Sequence, residues 1–201
     1  GARTVEDVSQ IQPGETVVIR SHGEPVETYR ALEEKGARIV DATCPNVARI
    51  HQLVAKAEAE GRTPLIIGEA HHPEVLAAAS RSPHSVILEG PEELEKWLAE
   101  RPERREMPLL AVAQTTCIQT TWRNAQKILK KECTNAEIFD TICLATHKRQ
   151  TEAAELAAKV DVMVVVGDRK SANTKHLTEI SRMRCPTVYQ IEGAEELRVD
   201  F

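Results

Sequence analysis

The sequence predicts a parallel α/β protein, and three observations carry that prediction. Short β-rich runs alternate with helical patterns along nearly all of the 201 residues. The runs are near-continuously apolar, as strands buried on both faces of a parallel sheet are. Turn residues bound each run, which gives a βαβα succession whose crossovers are right-handed.

The elements follow in order. TVVIR (16–20) leads into the helical VETYRALEEKG, and ARIVDA (37–42) into VARIHQLVAKAEAEG. TPLIIG (63–68) is followed by EAHHPEV, where Glu74 falls in a first helical turn, and SVILEG (85–90) by PEELEKWLAE. LLAVAQ (109–114) precedes TTWRNAQKILKKE, AEIFDT (136–141) precedes RQTEAAELAAK, and VMVVVG (162–167) precedes SANT, which opens a helix. TVYQIE (187–192) is the last strand. The helical stretches carry apolar residues at three- and four-residue spacing, with Glu and Lys elsewhere.

Composition narrows the function classes. Hydrophobic residues make up 41% and charged residues 28%, values of a soluble globular chain. No apolar run approaches the roughly 18–20 residues of a membrane span, and GARTVEDVSQ lacks the basic start and apolar centre of a signal peptide. A cytoplasmic protein is expected. The net charge is −5, and the densest basic patch, RPERRE at 101–106, is cut by acids, so the footprint of a nucleic-acid binder is missing. The five cysteines, Cys44, Cys117, Cys133, Cys143 and Cys185, are odd in number and contain no CxxC pair. That argues against a disulfide framework and against a zinc knuckle.

In open α/β sheets chemistry collects at the carboxyl ends of the strands. Here those ends carry SHGEP, TCP, EAHHPEV, TTC, ICLATHKRQ and DRKSANTKHL, while the opposite ends carry plain EKG, AEG and KKE. Taken singly, each polar group has an ordinary explanation. Cys44, before Pro45 at a helix start, could be a small core residue. His22 and His72 could be surface residues, and Glu74 could simply favour the helix dipole. Thr115 and Ser171, with Asn173, could be helix caps. Two features shift the balance. Cys143 in DTICLAT repeats the placement of Cys44, which points to a ligand or redox role for the pair, and hydroxyl and amide groups at helix starts suit an anion such as a diphosphate. Neither GxxxxGK nor GxGxxG occurs, so no nucleotide fingerprint is present. Cys117, Cys133 and Cys185 are read as structural or incidental.

Together, RSHGEP, DATCPNVARIH, HHPEV, AQTT, DTICLATHKRQ and VVGDRKSANT resemble, in order and spacing, the 4-hydroxy-3-methylbut-2-enyl diphosphate reductase family of the non-mevalonate isoprenoid pathway. The resemblance implies three α/β modules about a pseudo-threefold axis, here divided as 1–43, 44–142 and 143–201. It implies a 4Fe-4S iron-sulfur cluster held by one cysteine from each module, with Cys44 and Cys143 as two of the three. It implies diphosphate binding by His22, His72, Ser171 and Asn173, proton delivery by Glu74, and orientation of the substrate hydroxyl by Thr115. A ferredoxin or flavodoxin is the implied electron donor.

Some family features are missing. The segment carrying the first cysteine, of the GFCxGV kind, is absent, as is a C-terminal serine segment of the TAGAS kind. Ala172 stands where many members have serine, leaving only a backbone contact. The chain is therefore expected to start inside module one and stop inside module three, to lack the third cluster ligand, and to be inactive or nearly so by itself. Two rival readings are a non-catalytic diphosphate-binding module and a zinc-dependent hydrolase built from Cys44, Cys143, His22 and His72.

Overall fold

The computed structural model describes residues 1–197. Eight strands and seven α-helices alternate in chain order: β1 (Thr16–Ile19), α1 (Val26–Glu34), β2 (Arg38–Asp41), α2 (Pro45–Ala59), β3 (Thr63–Ile67), α3 (Pro73–Ala79), β4 (Val86–Leu88) and α4 (Pro91–Glu100). They continue with β5 (Leu109–Ala113), α5 (Gln119–Glu132), β6 (Ala136–Ile138), α6 (Leu144–Ala157), β7 (Val162–Val166), α7 (Ala172–Arg182) and β8 (Thr187–Ile191). Each strand lies within one of the predicted runs. The fold is parallel α/β throughout, because every strand pairing is parallel.

The strands form three sheets: β1-β2, then β4-β3-β5-β6, then β7-β8. Among the described residues, only the middle sheet has strands buried on both faces. Leu65, Ile66 and Ile67 of β3 and all five residues of β5 are inaccessible, and the core of Ile50, Val54, Ala57, Ile66, Val75, Ala78, Leu110 and Val112 joins α2 and α3 to this sheet. The expectation of doubly buried strands fails for the outer pairs. In β1, Ile19 is buried and Val17 packs partly against Ile11 and Leu32, whereas Val18 is 64% exposed and its register partner Val40 is exposed too. A two-stranded sheet covered on one face alternates inward and outward residues, even where both are apolar.

Helix α6 also departs from expectation, starting at Leu144 rather than at the predicted RQ. LATHK looks like a polar loop, yet this helix buries Thr146, Gln150 and Ala157 and leaves Leu144 79% exposed. Gln150 is compensated by hydrogen bonds to residues 116–119, described below, so apolar spacing misreads the segment.

The chain divides into two compact units, Gly1–Gln114 with Ala125–Thr141, and Thr115–Asn124 with the residues from Ile142 onward. A sequence repeat crosses that division. The spacing from Cys44 to Cys143 also takes Asp41 to Asp140, Gly68 to Gly167, His72 to Ser171 and Glu74 to Asn173, and it carries β3 onto β7. Backbone details repeat with it. The Gly68 N–H donates to the Leu88 carbonyl at 3.0 Å, and the Gly167 N–H to the Ile191 carbonyl at 2.9 Å.

Candidate active site

The two candidate cysteines share one local construction. Cys44 is the N-cap residue of α2 with φ −57° and ψ 135°, and Cys143 is the N-cap of α6 with φ −64° and ψ 132°. Neither side chain caps its helix. The Cys44 N–H donates to the Ser21 carbonyl at 2.9 Å, and the Cys143 N–H to the Thr115 carbonyl at 3.0 Å. In both cases the acceptor lies two residues beyond the strand that pairs with the one leading into the cysteine, at the end of β1 and of β5. Both thiols are half-buried and in no disulfide.

The remaining cysteines differ from this pair. Cys185 is buried, and its Sγ lies 3.2 Å from the Thr187 carbonyl and 3.5 Å from that of Val160. Cys117 is buried. Cys133 is half-buried, and burial pushes its thiol pKa up.

In the first unit, the loop after β1 brings His22 against His72, with ring centroids 5.3 Å apart and planes at 86°. The Nδ1 of His22 is buried without a hydrogen-bond partner. Burial lowers its pKa, Arg20 lowers it further, and Glu24 opposes them, so the ring is neutral near pH 7. His72 caps α3, its Nδ1 accepting the Glu74 N–H at 3.2 Å. A neutral ring that accepts at Nδ1 carries its proton on Nε2. Glu74 follows in the first turn, only 2% exposed.

Two contacts fix the surrounding loops. Gly68 lets the Gln114 side chain cross over it, since a Cβ there would lie 2.7 Å from the Gln114 Cβ, and Gln114 Oε1 accepts the Glu69 N–H at 2.9 Å. At the far end of α3, Arg81 donates to the Glu24 carbonyl at 2.8 Å, and Ser80 Oγ accepts the Val26 N–H at 3.0 Å. The loop bearing His22 is thereby tied to α3, the helix that begins with His72 and Glu74.

In the second unit, Thr115 is buried beside Cys143 through the bond already described. Ser171 caps α7, its Oγ accepting the Thr174 N–H at 3.4 Å, and Asn173 follows with a buried Oδ1 that has no partner. His176 Nδ1 lies 2.7 Å from the Thr116 carbonyl and must donate to it, fixing the tautomer. The structure thus brings His22 to His72 and Glu74 in one unit, and Thr115 to Cys143 in the other. Among the described residues no three His, Cys, Asp or Glu side chains gather to hold a metal ion.

Sequence reasoning missed two residues next to this machinery. His51 in α2 and Gln150 in α6 each lie seven positions after a cysteine, inside motifs already singled out. That equal spacing was the available signal.

The profile of a family described as LytB protein matches residues 1–201. A 4-hydroxy-3-methylbut-2-enyl diphosphate reductase of Nitratiruptor sp. is 35% identical over 198 residues, 98% of this chain and 70% of the relative. The reductase of the same name from Solidesulfovibrio magneticus is 40% identical over 202 residues, 98% of this chain and 68% of its own. A relative from Thermoanaerobacter sp. is matched over 66% of its length, so the chain spans about two thirds of such proteins.

Two solved structures are also similar. One is titled as (E)-4-hydroxy-3-methyl-but-2-enyl diphosphate reductase, the terminal enzyme of the non-mevalonate pathway, with TM-score 0.63 and 34% identity over 95% of this chain and 67% of that one. The other, E-1-hydroxy-2-methyl-but-2-enyl-4-diphosphate reductase from Plasmodium falciparum, gives a TM-score of 0.90 and 27% identity over 100% of this chain and 63% of that one.

Proposed function

The chain belongs to the LytB protein family, and on that premise we propose that its site serves reductive dehydroxylation of 4-hydroxy-3-methylbut-2-enyl diphosphate to isopentenyl and dimethylallyl diphosphate. The carrying observation is the common backbone setting of Cys44 and Cys143, two thiols at helix starts and in no disulfide, each tied by its own N–H to the loop after the strand that pairs with the one leading into it. Thiolates are the usual ligands of iron-sulfur clusters, so this pair fits such a group in kind. They would form part of its ligand set. When bound, a cluster of four irons with three thiolates supplies electrons and one iron position open to a ligand.

The chain's own residues have the remaining tasks. Diphosphate is a multiply charged acceptor, and His22 offers a buried Nδ1 with no protein partner. His72, accepting at Nδ1, carries its proton on Nε2, the atom that would donate to a phosphate oxygen. The Asn173 amide, turned by 180° about its last bond, presents N–H groups where Oδ1 now lacks a partner. Ser171 can share its hydroxyl between cap and ligand, and Ala172 can offer only its backbone. Glu74 delivers a proton as the substrate hydroxyl leaves as water, and Thr115 orients that hydroxyl. The balance is two electrons and two protons in, one water out.

The three-module division at 1–43, 44–142 and 143–201 belongs to the same reading, although residues 198–201 lie outside the described ones. The three sheets support it. A cytoplasmic setting and a ferredoxin or flavodoxin donor are part of it too. For localisation, the supporting fact is that no described helix is long and apolar enough to cross a membrane.

The test is anaerobic reconstitution, with iron and acid-labile sulfide measured on this chain and on a version extended by an upstream cysteine segment. Substantial cluster uptake by the extended protein, with reduction of the substrate by an artificial electron donor, is the expected result. Diphosphate binding without iron uptake by either version would replace this reading with a binding module, and zinc uptake would favour the hydrolase.

A further inference from the structure

We propose that His51 and Gln150 are positioning residues, each holding a neighbouring loop, that after β1 or that after β5, against the helix start that carries the cysteine. Each stands seven positions after its cysteine, two turns into the following helix. The two work by different physics.

His51 acts by shape. It is 9% exposed, and its Nε2 is buried without a hydrogen-bond partner. The ring occupies the space left by Gly23, whose φ is +71° and whose missing Cβ would lie 2.5 Å from His51 Cε1. Thr43 Cγ2 lies 3.4 Å from the same point, so the ring, the His22-bearing loop and the residue before Cys44 meet there. Glycine suits this position twice over, for its backbone conformation and for the room it leaves.

Gln150 acts by hydrogen bonds. It is 5% exposed; its Oε1 accepts the Gln119 N–H at 3.1 Å, and its Nε2 donates to the carbonyls of Cys117 at 3.1 Å and Thr116 at 3.4 Å. It therefore bonds three successive parts of the loop that begins with Thr115. To the helix start that carries its cysteine, each loop is joined both by the cysteine's own N–H and by the residue seven positions on. Removing the second of these loosens the join beside the thiol. Groups that fix the orientation of ligand-bearing segments matter nearly as much as the ligands themselves.

That the held thiols bind iron rests on the preceding reading; the fastening does not. The test is therefore chosen to need neither iron nor substrate: site-resolved alkylation of the whole, metal-free chain by iodoacetamide, followed by mass spectrometry. Cys133, at the far end of α5, is the internal reference. His51→Ala is expected to raise the rate at Cys44 at least threefold while leaving Cys143 and Cys133 unchanged. Gln150→Leu is expected to raise the rate at Cys143 alone. His51→Gln, a side chain of similar reach that carries no titratable proton, should return Cys44 to within twofold of the parent, because it fills the space beside Gly23; a role that needed the imidazole's proton would not predict that rescue.

If His51→Ala does not fold, His51→Asn takes its place with the same expectation. An unchanged rate at the neighbouring cysteine, or an equal rise at all three, overturns the proposal. Failed cluster uptake with these site-specific effects intact would remove the reductase reading and leave the positioning role in place.

Discussion

At the residue scale, the sharpest functional statement concerns Glu74. Its position in the first turn of α3 is already good helix chemistry, but a carboxylate only 2% exposed, beside the His22–His72 pair, is placed for more than that. Glu74→Gln keeps the shape and the helix start and removes only the proton. In the extended, iron-reconstituted protein the expected outcome is a fall in kcat of about 10²–10⁴, the usual contribution of a positioned acid or base. Iron content and diphosphate affinity should stay within twofold of the parent. A loss of affinity that accounts for the whole effect would make Glu74 a binding residue instead. Glu74 was legible because it follows His72 in a polar strand end. His51 was not, because its role depends on a Cβ that Gly23 lacks, which no pattern of side chains announces. Asp41 is similar. Burial raises its pKa, but the hydroxyl and N–H of Thr43 and the hydroxyl of Tyr29 outweigh that and hold it down, a network visible only once DAT is folded into its turn.

At the scale of elements, α7 separates stability from binding within three residues. Ser171 Oγ satisfies one of the free N–H groups at the helix start, whereas the Asn173 Oδ1 satisfies nothing in the protein. Ser171→Ala should therefore destabilise by about 0.5–1 kcal/mol, the lower part of the range for a cap whose bond is long. Asn173→Ala should change stability by less than about 0.5 kcal/mol, as a residue without such a feature does. Urea unfolding measures both. Titration with inorganic diphosphate should show the reverse order, with the larger loss of affinity in Asn173→Ala. If both variants lose stability alike, Asn173 has a structural role and its place in the anion site is withdrawn. The elements themselves were the most legible part of the sequence, since eight apolar runs became eight strands. Their burial was less so. Val18 and Ile19 are equally apolar neighbours in β1, yet one is exposed and the other buried, because burial is decided by which face a helix covers. The start of α6 was hidden for the opposite reason, since its inward residues Thr146 and Gln150 are polar.

At the scale of the whole molecule, the repeat that superposes Cys44 on Cys143 also pairs unlike residues: His51 with Gln150, His72 with Ser171, and Glu74 with Asn173. The first half is thus richer in titratable groups at the corresponding positions, and stability against pH should report it. Burial, assisted by Arg81 and opposed by Asp41, lowers the pKa of His51 from 6.5 to about 4. The unfolded chain takes up a proton at this residue near pH 6.5, while the folded chain refuses it until about pH 4. The stability His51 contributes is accordingly full above pH 6.5 and is lost as the pH falls through that window, with His22 acting in the same direction. Asp41, Asp7 and Glu15 are depressed instead, the latter two chiefly by backbone hydrogen bonds from Ser9 and Gln12. Their contributions are lost only at lower pH, below the ordinary carboxylate values of 3.8 and 4.5. The melting temperature should therefore fall in two stages on acidification. His51→Gln should flatten the first stage and leave the second unchanged, because glutamine takes up no proton. Parallel curves for parent and variant between pH 6.5 and 4 would mean that the His51 ring is protonated in the folded chain and that its packing against Gly23 is looser than the structure places it.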